Sequence, residues 1–247
     1  MNTDGLTNRL LETRRPTIEP AQRTAAKIVG ILYLVTMASS MFGELYVRRQ
    51  LIVPGEAVQT ALNIVAFGPL FRRSIVTDLL TVAGVIILVW ALYVILKPIN
   101  THVVVLAAFF RLAENVIFAV ACLNSFLALR LLRGTSYLQA FETTQLQVLA
   151  RVFVGAQGAG LSIAFVFLGL GSAVFSYLWL KSGYIPRAIA VWGIFSSLVL
   201  TIVGLIIMIF PDVGAAIGLT YMAPMFIYEV GLGLWLLVKG LQAPLIR

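Results

Sequence analysis

Charged side chains are scarce in this sequence. Asp, Glu, Lys and Arg together make up 11% of its 247 residues, whereas ordinary soluble domains carry about 25%. Hydrophobic residues make up 60%, and the mean hydropathy is +0.99. A soluble fold of this composition would have too little polar surface to stay dissolved. The sequence therefore predicts an integral membrane protein.

Cysteine and histidine are almost absent. The chain has one cysteine, Cys122, and one histidine, His102, which excludes an intramolecular disulfide, a Cys/His zinc cluster and bis-histidine haem in one subunit. HExxH, Walker A and strand-linked GxGxxG patterns are also missing. We interpret His102 as a solvated residue because it follows polar Asn100 and Thr101 in a predicted turn. The sequence predicts no metal, no cofactor and no catalytic residue.

The net charge of +8 does not indicate a nucleic-acid partner. Much of it comes from Lys and Arg residues that flank apolar stretches. Such residues set the orientation of a membrane protein and contact anionic lipid head groups. No basic run is dense enough to form a nucleic-acid arm, so membrane lipid is the expected partner.

Six apolar stretches are long enough to cross a bilayer as helices. We predict an all-α, six-helix bundle with its membrane domain at 25–240, a flexible N-terminal tail at 1–24 and a C-terminal tail at 241–247. Residues 51–71 are interrupted by Pro54-Gly55 and Gly68-Pro69, and they predict a short helix lying at the interface over one mouth of the bundle. The predicted spans are 25–46, 74–96, 103–129, 146–180, 188–210 and 216–238.

Six spans place both termini on the same side of the membrane. The distribution of Lys and Arg favours a cytoplasmic location for both tails and a plasma-membrane protein. The bias is moderate because the opposite side also carries several arginines.

The third span contains charges near its middle. Arg111 and Glu114 are three residues apart, so a helix places them on one face, with Asn115 beside them. A lone charge at the bilayer centre costs about 2.5–3.5 kcal/mol on insertion scales, and pairing lowers that cost. This group predicts either a binding site for a polar or anionic ligand, with Arg111 as the binder, or an ion-pair lock between helices.

Four further polar residues complete the candidate binding site. Glu229 falls near mid-membrane depth in the sixth span, where it could pair with Arg111 or Glu114 or carry a proton. Glu44 and Asp78 lie near the outer ends of their spans and could instead pair with arginines such as Arg48, or reach water. With Gln157 of the fourth span, these residues predict a pocket that opens outward. The full candidate set is Glu44, Asp78, Arg111, Glu114, Asn115, Gln157 and Glu229.

Five segments of the chain carry a resemblance to known proteins: AAKIVGILYLVTMASSMFGELYVRRQLIVPG, ALYVILKPIN, LAAFFRLAENVI, FLGLGSAVFSYLWLKSGYIPRAIAVWGI and IYEVGLGLWLLVKG. Together they resemble one family of bacterial membrane proteins, domain of unknown function 4386. The resemblance covers roughly 25–240 and implies a six-helix membrane protein without an established activity. Members of that family often carry histidines in the fourth span, where this chain has Gln157 and Gly171.

Two functions stay open at this point. The first is the binding or passage of a small polar, anionic or lipid-like ligand. The second is a structural or partner-binding membrane subunit whose buried charges only lock helices, and a homo-oligomer is compatible with both. A membrane-embedded enzyme is a weaker third function, because no nucleophile–base pair is apparent.

Overall fold

The computed structural model describes residues 18–133, 139–210 and 217–242, together with Asp212 and Gly214. Most of the predicted N-terminal tail, residues 1–17, and residues 243–247 of the C-terminal tail lie outside the described residues. Within the described ranges the chain is helical and contains no strand, which confirms the all-α prediction.

Eight α-helices form the described structure. A π-helix, Phe42–Arg48, continues α1 into α2, and a 3₁₀ turn, Thr220–Met222, leads into α8. The α-helices are α1 Pro20–Met41, α2 Arg49–Leu51, α3 Ala57–Ala66, α4 Gly68–Leu96, α5 Thr101–Leu132, α6 Thr143–Ser182, α7 Arg187–Ile209 and α8 Ala223–Val238.

Six helical rods are long and apolar enough to cross a membrane, as the sequence predicted. The first rod is α1 with the π-helix and α2, which together run from Pro20 to Leu51. The other five are α4, α5, α6, α7 and α8 with its 3₁₀ turn. At about 1.5 Å per residue, the 40 residues of α6 extend well beyond the hydrocarbon core of a bilayer.

Local sequence signals explain where these helices begin and end. The side chain of Asn100 caps α5 by accepting a hydrogen bond from the Val103 backbone N–H at 3.1 Å. Gly183 ends α6 with a φ of +65°, a conformation that glycine adopts without steric cost. Pro224 lies in the first turn of α8, where proline is tolerated because its missing N–H has no partner there.

The six rods form a ring in chain order. Each rod packs against the next, and α8 returns to pack against α1. The closing contact is tight because it is made by glycines: a Cβ atom built on Gly30 would lie 2.9 Å from the carbonyl oxygen of Gly233. Large side chains that include Phe175, Trp179 and Tyr228 fill one half of the ring interior.

The interrupted stretch between the first two spans forms a short helix, α3, as predicted. Its polar side holds the preceding turn: Thr60 Oγ1 contacts both the N–H and the carbonyl of Val53, at 3.0 and 3.2 Å, and Asn63 donates to the Leu51 carbonyl. Its opposite side is apolar and exposed, through Val58, Leu62 and Val65. An outward apolar face is what a helix lying at a membrane interface requires.

Candidate functional site

Six of the seven candidate residues lie in two groups, and Asn115 belongs to neither. We name the first the Arg48 cluster, made of Glu44, Arg48, Asp78 and Gln157. We name the second the Arg111 cluster, made of Tyr33, Arg111, Glu114, Tyr228 and Glu229. Within the described ranges no hydrogen bond or ion pair joins the two clusters, and Asn115 lies between them.

The Arg48 cluster connects three spans. The Arg48 guanidinium donates to Glu44 Oε1 at 2.9 Å and also to Asp78 Oδ2 on α4. Gln157 Nε2, on α6, donates to the same Glu44 oxygen at 3.1 Å. The sequence offered Arg48 as one partner for Glu44 and Asp78, and the structure brings these three side chains together.

The π-helix positions this cluster. A π-helix closes i→i+5 hydrogen bonds and inserts an extra residue into the turn, so it rotates the following side chains relative to a plain α-helix. Gly43 makes room for the pair, because a Cβ atom at this position would lie 2.9 Å from both Arg48 Nη1 and Asp78 Oδ1.

The Arg111 cluster begins with an ion pair inside one helix. Arg111 Nη1 lies 3.1 Å from Glu114 Oε2, and both residues belong to the buried face of α5. The spacing predicted this pair. Gly171 of α6 packs against the arginine from the neighbouring span, with a Cβ atom at 171 falling 2.8 Å from Arg111 Cγ.

Glu229 and two tyrosines approach Arg111 from other helices. Glu229 on α8 and Tyr33 on α1 are buried and lie within electrostatic reach of the guanidinium. Tyr228 is also buried, and its hydroxyl oxygen accepts a hydrogen bond from Ser176 Oγ at 2.9 Å. Sequence reasoning did not select either tyrosine, although a tyrosine in the middle of an apolar span is itself a signal.

Several buried polar atoms around these clusters have no hydrogen-bond partner. Asn115 donates through Nδ2 to the Val82 carbonyl at 3.0 Å, but its Oδ1 has no partner. Arg111 Nη1 and Glu114 Oε2 lie at ion-pair distance without the alignment of a hydrogen bond. Buried polar groups are nearly always hydrogen-bonded, so such atoms indicate places where a further polar group would be stabilised.

The two clusters lie at different depths. Leu96 and Thr101 are joined by a four-residue turn and mark one end of the bundle. Arg111 is ten residues beyond Thr101, which is about 15 Å along α5, whereas Asp78 is eighteen residues before Leu96, about 27 Å along α4. The Arg111 cluster is therefore near the middle of the membrane domain and the Arg48 cluster nearer the end that carries α3.

The donor chemistry of the two clusters is guanidinium, carboxylate, amide and phenol. Across the described part of the chain, no group of three or more His, Cys, Asp or Glu side chains is placed to hold a metal ion. The arrangement suits recognition of a small polar or charged group by hydrogen bonds and ion pairs.

Comparison with known proteins identifies the family. No curated protein and no solved structure matches this chain. The family model described as "Domain of unknown function (DUF4386)" matches residues 28–240, from α1 past the end of α8. Since this match covers all six spans, the chain belongs to the DUF4386 family of membrane proteins.

Proposed function

We propose that this integral membrane protein binds a small polar ligand inside the membrane, at the Arg111 cluster. The observation that carries the proposal is the position of the Arg111–Glu114 pair. Both residues belong to α5, three positions apart. The pair itself joins no two helices, and Arg111 Nη1 and Glu114 Oε2 have no hydrogen-bond partner.

The Arg48 cluster also has one unpartnered buried atom, Arg48 Nε, but its hydrogen bonds have the geometry of a structural lock. Its hydrogen bonds join the first rod to α4 and to α6. The Glu44 side chain is 33% exposed, so its charge can reach polar surroundings. We therefore assign helix locking to Arg48 and ligand binding to Arg111.

The charges around Arg111 favour a ligand that is positively charged or that delivers a proton. The Arg111 guanidinium pairs with Glu114, and the carboxylate of Glu229 lies within electrostatic reach; both carboxylates are buried. With both carboxylates ionised, one negative charge stays unbalanced, and a buried unpaired charge is costly. Arg111 alone suggested an anion, but the second carboxylate disfavours one. A cation, an amine group or a proton on Glu229 would balance the cluster.

A structural or partner-binding subunit is the second candidate function. The Arg48 cluster supports it, since a lock of this kind would serve any membrane scaffold. In that case the Arg111 cluster would contribute only to packing, through Gly171 and the tyrosines.

We also propose a plasma-membrane location with both termini in the cytoplasm. The even number of spans supports a common side for the termini. The Lys and Arg residues flanking that side support its cytoplasmic orientation.

The test compares variants of the two clusters in detergent. Arg111→Met alone leaves Glu114 and Glu229 uncompensated and should lower the melting temperature. Arg111→Met with Glu114→Leu leaves only Glu229 without a counter-charge, so it should regain part of that stability but lose the small polar molecules that co-purify with the wild type. Extraction and mass spectrometry of bound molecules measures this loss.

The matched control is Arg48→Met with Asp78→Leu, which should keep the co-purifying molecules. A double Arg111 variant with wild-type stability and wild-type bound molecules would remove the binding proposal.

Glu229→Gln tests the charge argument, because it removes the surplus negative charge while preserving shape. We expect it to weaken binding of a cationic ligand.

A further inference from the structure

Lysine is confined to one end of the bundle, whereas arginine occurs at both ends. All four lysines lie towards the end formed by the start of α1 and the turn between α4 and α5. The opposite end, which carries α3, has arginines and no lysine. The lysines are Lys27, Lys97, Lys181 and Lys239, and the arginines of the opposite end are Arg48, Arg49, Arg72, Arg73, Arg130, Arg133 and Arg151.

The distinction matters because arginine recognises phosphate differently from lysine. The planar guanidinium donates two parallel hydrogen bonds to phosphate oxygens, whereas the ammonium group of lysine acts as a point charge. Arg72 and Arg73 are exposed. Among the described residues, no carboxylate lies at ion-pair distance from either side chain.

A shallow, largely open groove on the flank of the bundle lies beside these two arginines. It has a volume of about 420 Å³ and is lined by Phe42, Arg72, Arg73, Val76 and Thr77. The ring of Phe42 stacks on that of Tyr46, with centroids 5.7 Å apart, which gives this side an apolar wall.

Along the span, the groove presents charged residues first and apolar residues next, which is the order of the head group and acyl chains of a phospholipid. Arg72 and Arg73 belong to the second turn of α4, close to the N-terminal end of this helix. Val76 follows one turn further into the span, and exposed Leu79 and Leu80 continue the apolar surface in the same direction. The arginines therefore lie at the end of the span, where a lipid head group would be, and the apolar side chains lie further into the span, where an acyl chain would be.

We propose that this groove binds an anionic phospholipid. Arg72 and Arg73 hold the phosphate, and one acyl chain lies along Phe42 and Val76. The two unpaired positive charges favour a head group with net negative charge, such as phosphatidylglycerol, over zwitterionic phosphatidylcholine. Because Phe42 is also the first residue of the π-helix that carries Glu44 and Arg48, lipid in the groove would stabilise the Arg48 cluster.

The experiment is native mass spectrometry of the full chain, offered phosphatidylglycerol and phosphatidylcholine in equal amounts. The variants are Arg72→Gln with Arg73→Gln, and Arg72→Lys with Arg73→Lys. The matched control is Lys97→Gln with Lys181→Gln, which removes two exposed cations from the opposite end. We expect the wild type to retain phosphatidylglycerol preferentially, and the Gln pair to bind it about tenfold more weakly, since charge-assisted hydrogen bonds are lost.

The Lys pair should bind more weakly than the wild type, because it keeps the charge without the paired hydrogen bonds. Val76→Trp tests the groove independently of the arginines. It keeps both arginines but fills the groove at an exposed position, so it should also weaken lipid binding. Equal losses in the Gln pair and in the Lys97/Lys181 control would overturn the proposal. So would unchanged binding in the Gln pair, or displacement of the lipid by millimolar inorganic phosphate, which would indicate a site for free phosphate.

Discussion

Gly171 of α6 lies directly against the side chain of Arg111 of α5. A Cβ atom at position 171 would fall 2.8 Å from Arg111 Cγ, 3.0 Å from its Cδ and 3.2 Å from its backbone nitrogen. The space that a side chain would occupy at 171 is taken by the aliphatic stem of the arginine. This contact helps to hold the arginine in place beside Glu114 of its own helix.

Gly171→Ala should therefore destabilise the protein and displace Arg111. Overpacking of a close contact typically costs about 1–3 kcal/mol. The matched control is Gly158→Ala on the same helix, where a Cβ atom would meet nothing within 4 Å. That control should be neutral or slightly stabilising, because alanine favours helix over glycine. Melting temperatures in detergent measure both variants, and equal values for the two would contradict the contact.

Arg48→Met should be among the most destabilising single changes of a polar residue. It leaves Asp78 buried without its partner, and breaking a buried pair costs about 3–5 kcal/mol. Arg48→Met with Asp78→Leu should recover most of the loss, since an apolar pair needs no desolvation of charges. The neighbouring exposed Arg49 is the control: Arg49→Met should change stability by less than about 0.5 kcal/mol. Similar melting temperatures for the Arg48 and Arg49 variants would show that the Arg48 cluster is not a lock.

The six spans could be predicted from the sequence because each is a long apolar run, and Pro54-Gly55 and Gly68-Pro69 marked the short helix. The ends were harder to place. The second span was predicted to begin at residue 74, whereas α4 begins at Gly68. A hydropathy pattern stops at polar residues, but the helix continues through Arg72 and Arg73 because arginine favours helical backbone as well as most apolar residues do.

The candidate site was predicted only in part. The Arg111–Glu114 pair follows from spacing within one helix, so the sequence could find it. The separation of the candidate residues into two clusters depends on the axial offset between α4 and α5. The sequence pattern of a single helix does not contain this offset. The π-helix adds a rotation that sequence patterns do not show, and it decides that Arg48 faces Asp78. In the sequence, Gly171 was notable as a position where family members often carry histidine, and its contact with Arg111 needed the structure.

The orientation of the bundle can be tested by labelling single cysteines from each side of the membrane. Thr101 begins α5, Gln139 lies in the connection that follows α5, and both are exposed, so Thr101→Cys and Gln139→Cys should be labelled from opposite sides. The background variant is Cys122→Ala, which removes the native buried thiol. With cytoplasmic termini, an impermeant maleimide should reach Gln139→Cys in intact cells and Thr101→Cys only in inverted vesicles. The reverse result would invert the proposed orientation, and labelling of both from one side would contradict six spans.

Thr60→Val should loosen α3 from the bundle while leaving the six spans in place. The Thr60 hydroxyl is buried, and it bonds both backbone groups of Val53 in the turn that follows α2. Valine preserves the shape but leaves the Val53 N–H unsatisfied, which costs about 1–3 kcal/mol, whereas the Val53 carbonyl still accepts from the Glu56 N–H. The loss should be local, because the apolar contacts of Ile64 within the neighbouring core remain. Hydrogen exchange should therefore accelerate in residues 52–67, with α4 to α8 unchanged.

Gln59→Ala, at an exposed position on the same helix, is the control and should leave that exchange as in the wild type. Exchange that rises equally throughout the chain in Thr60→Val would mean that α3 is part of the global folding unit rather than a separately anchored cap.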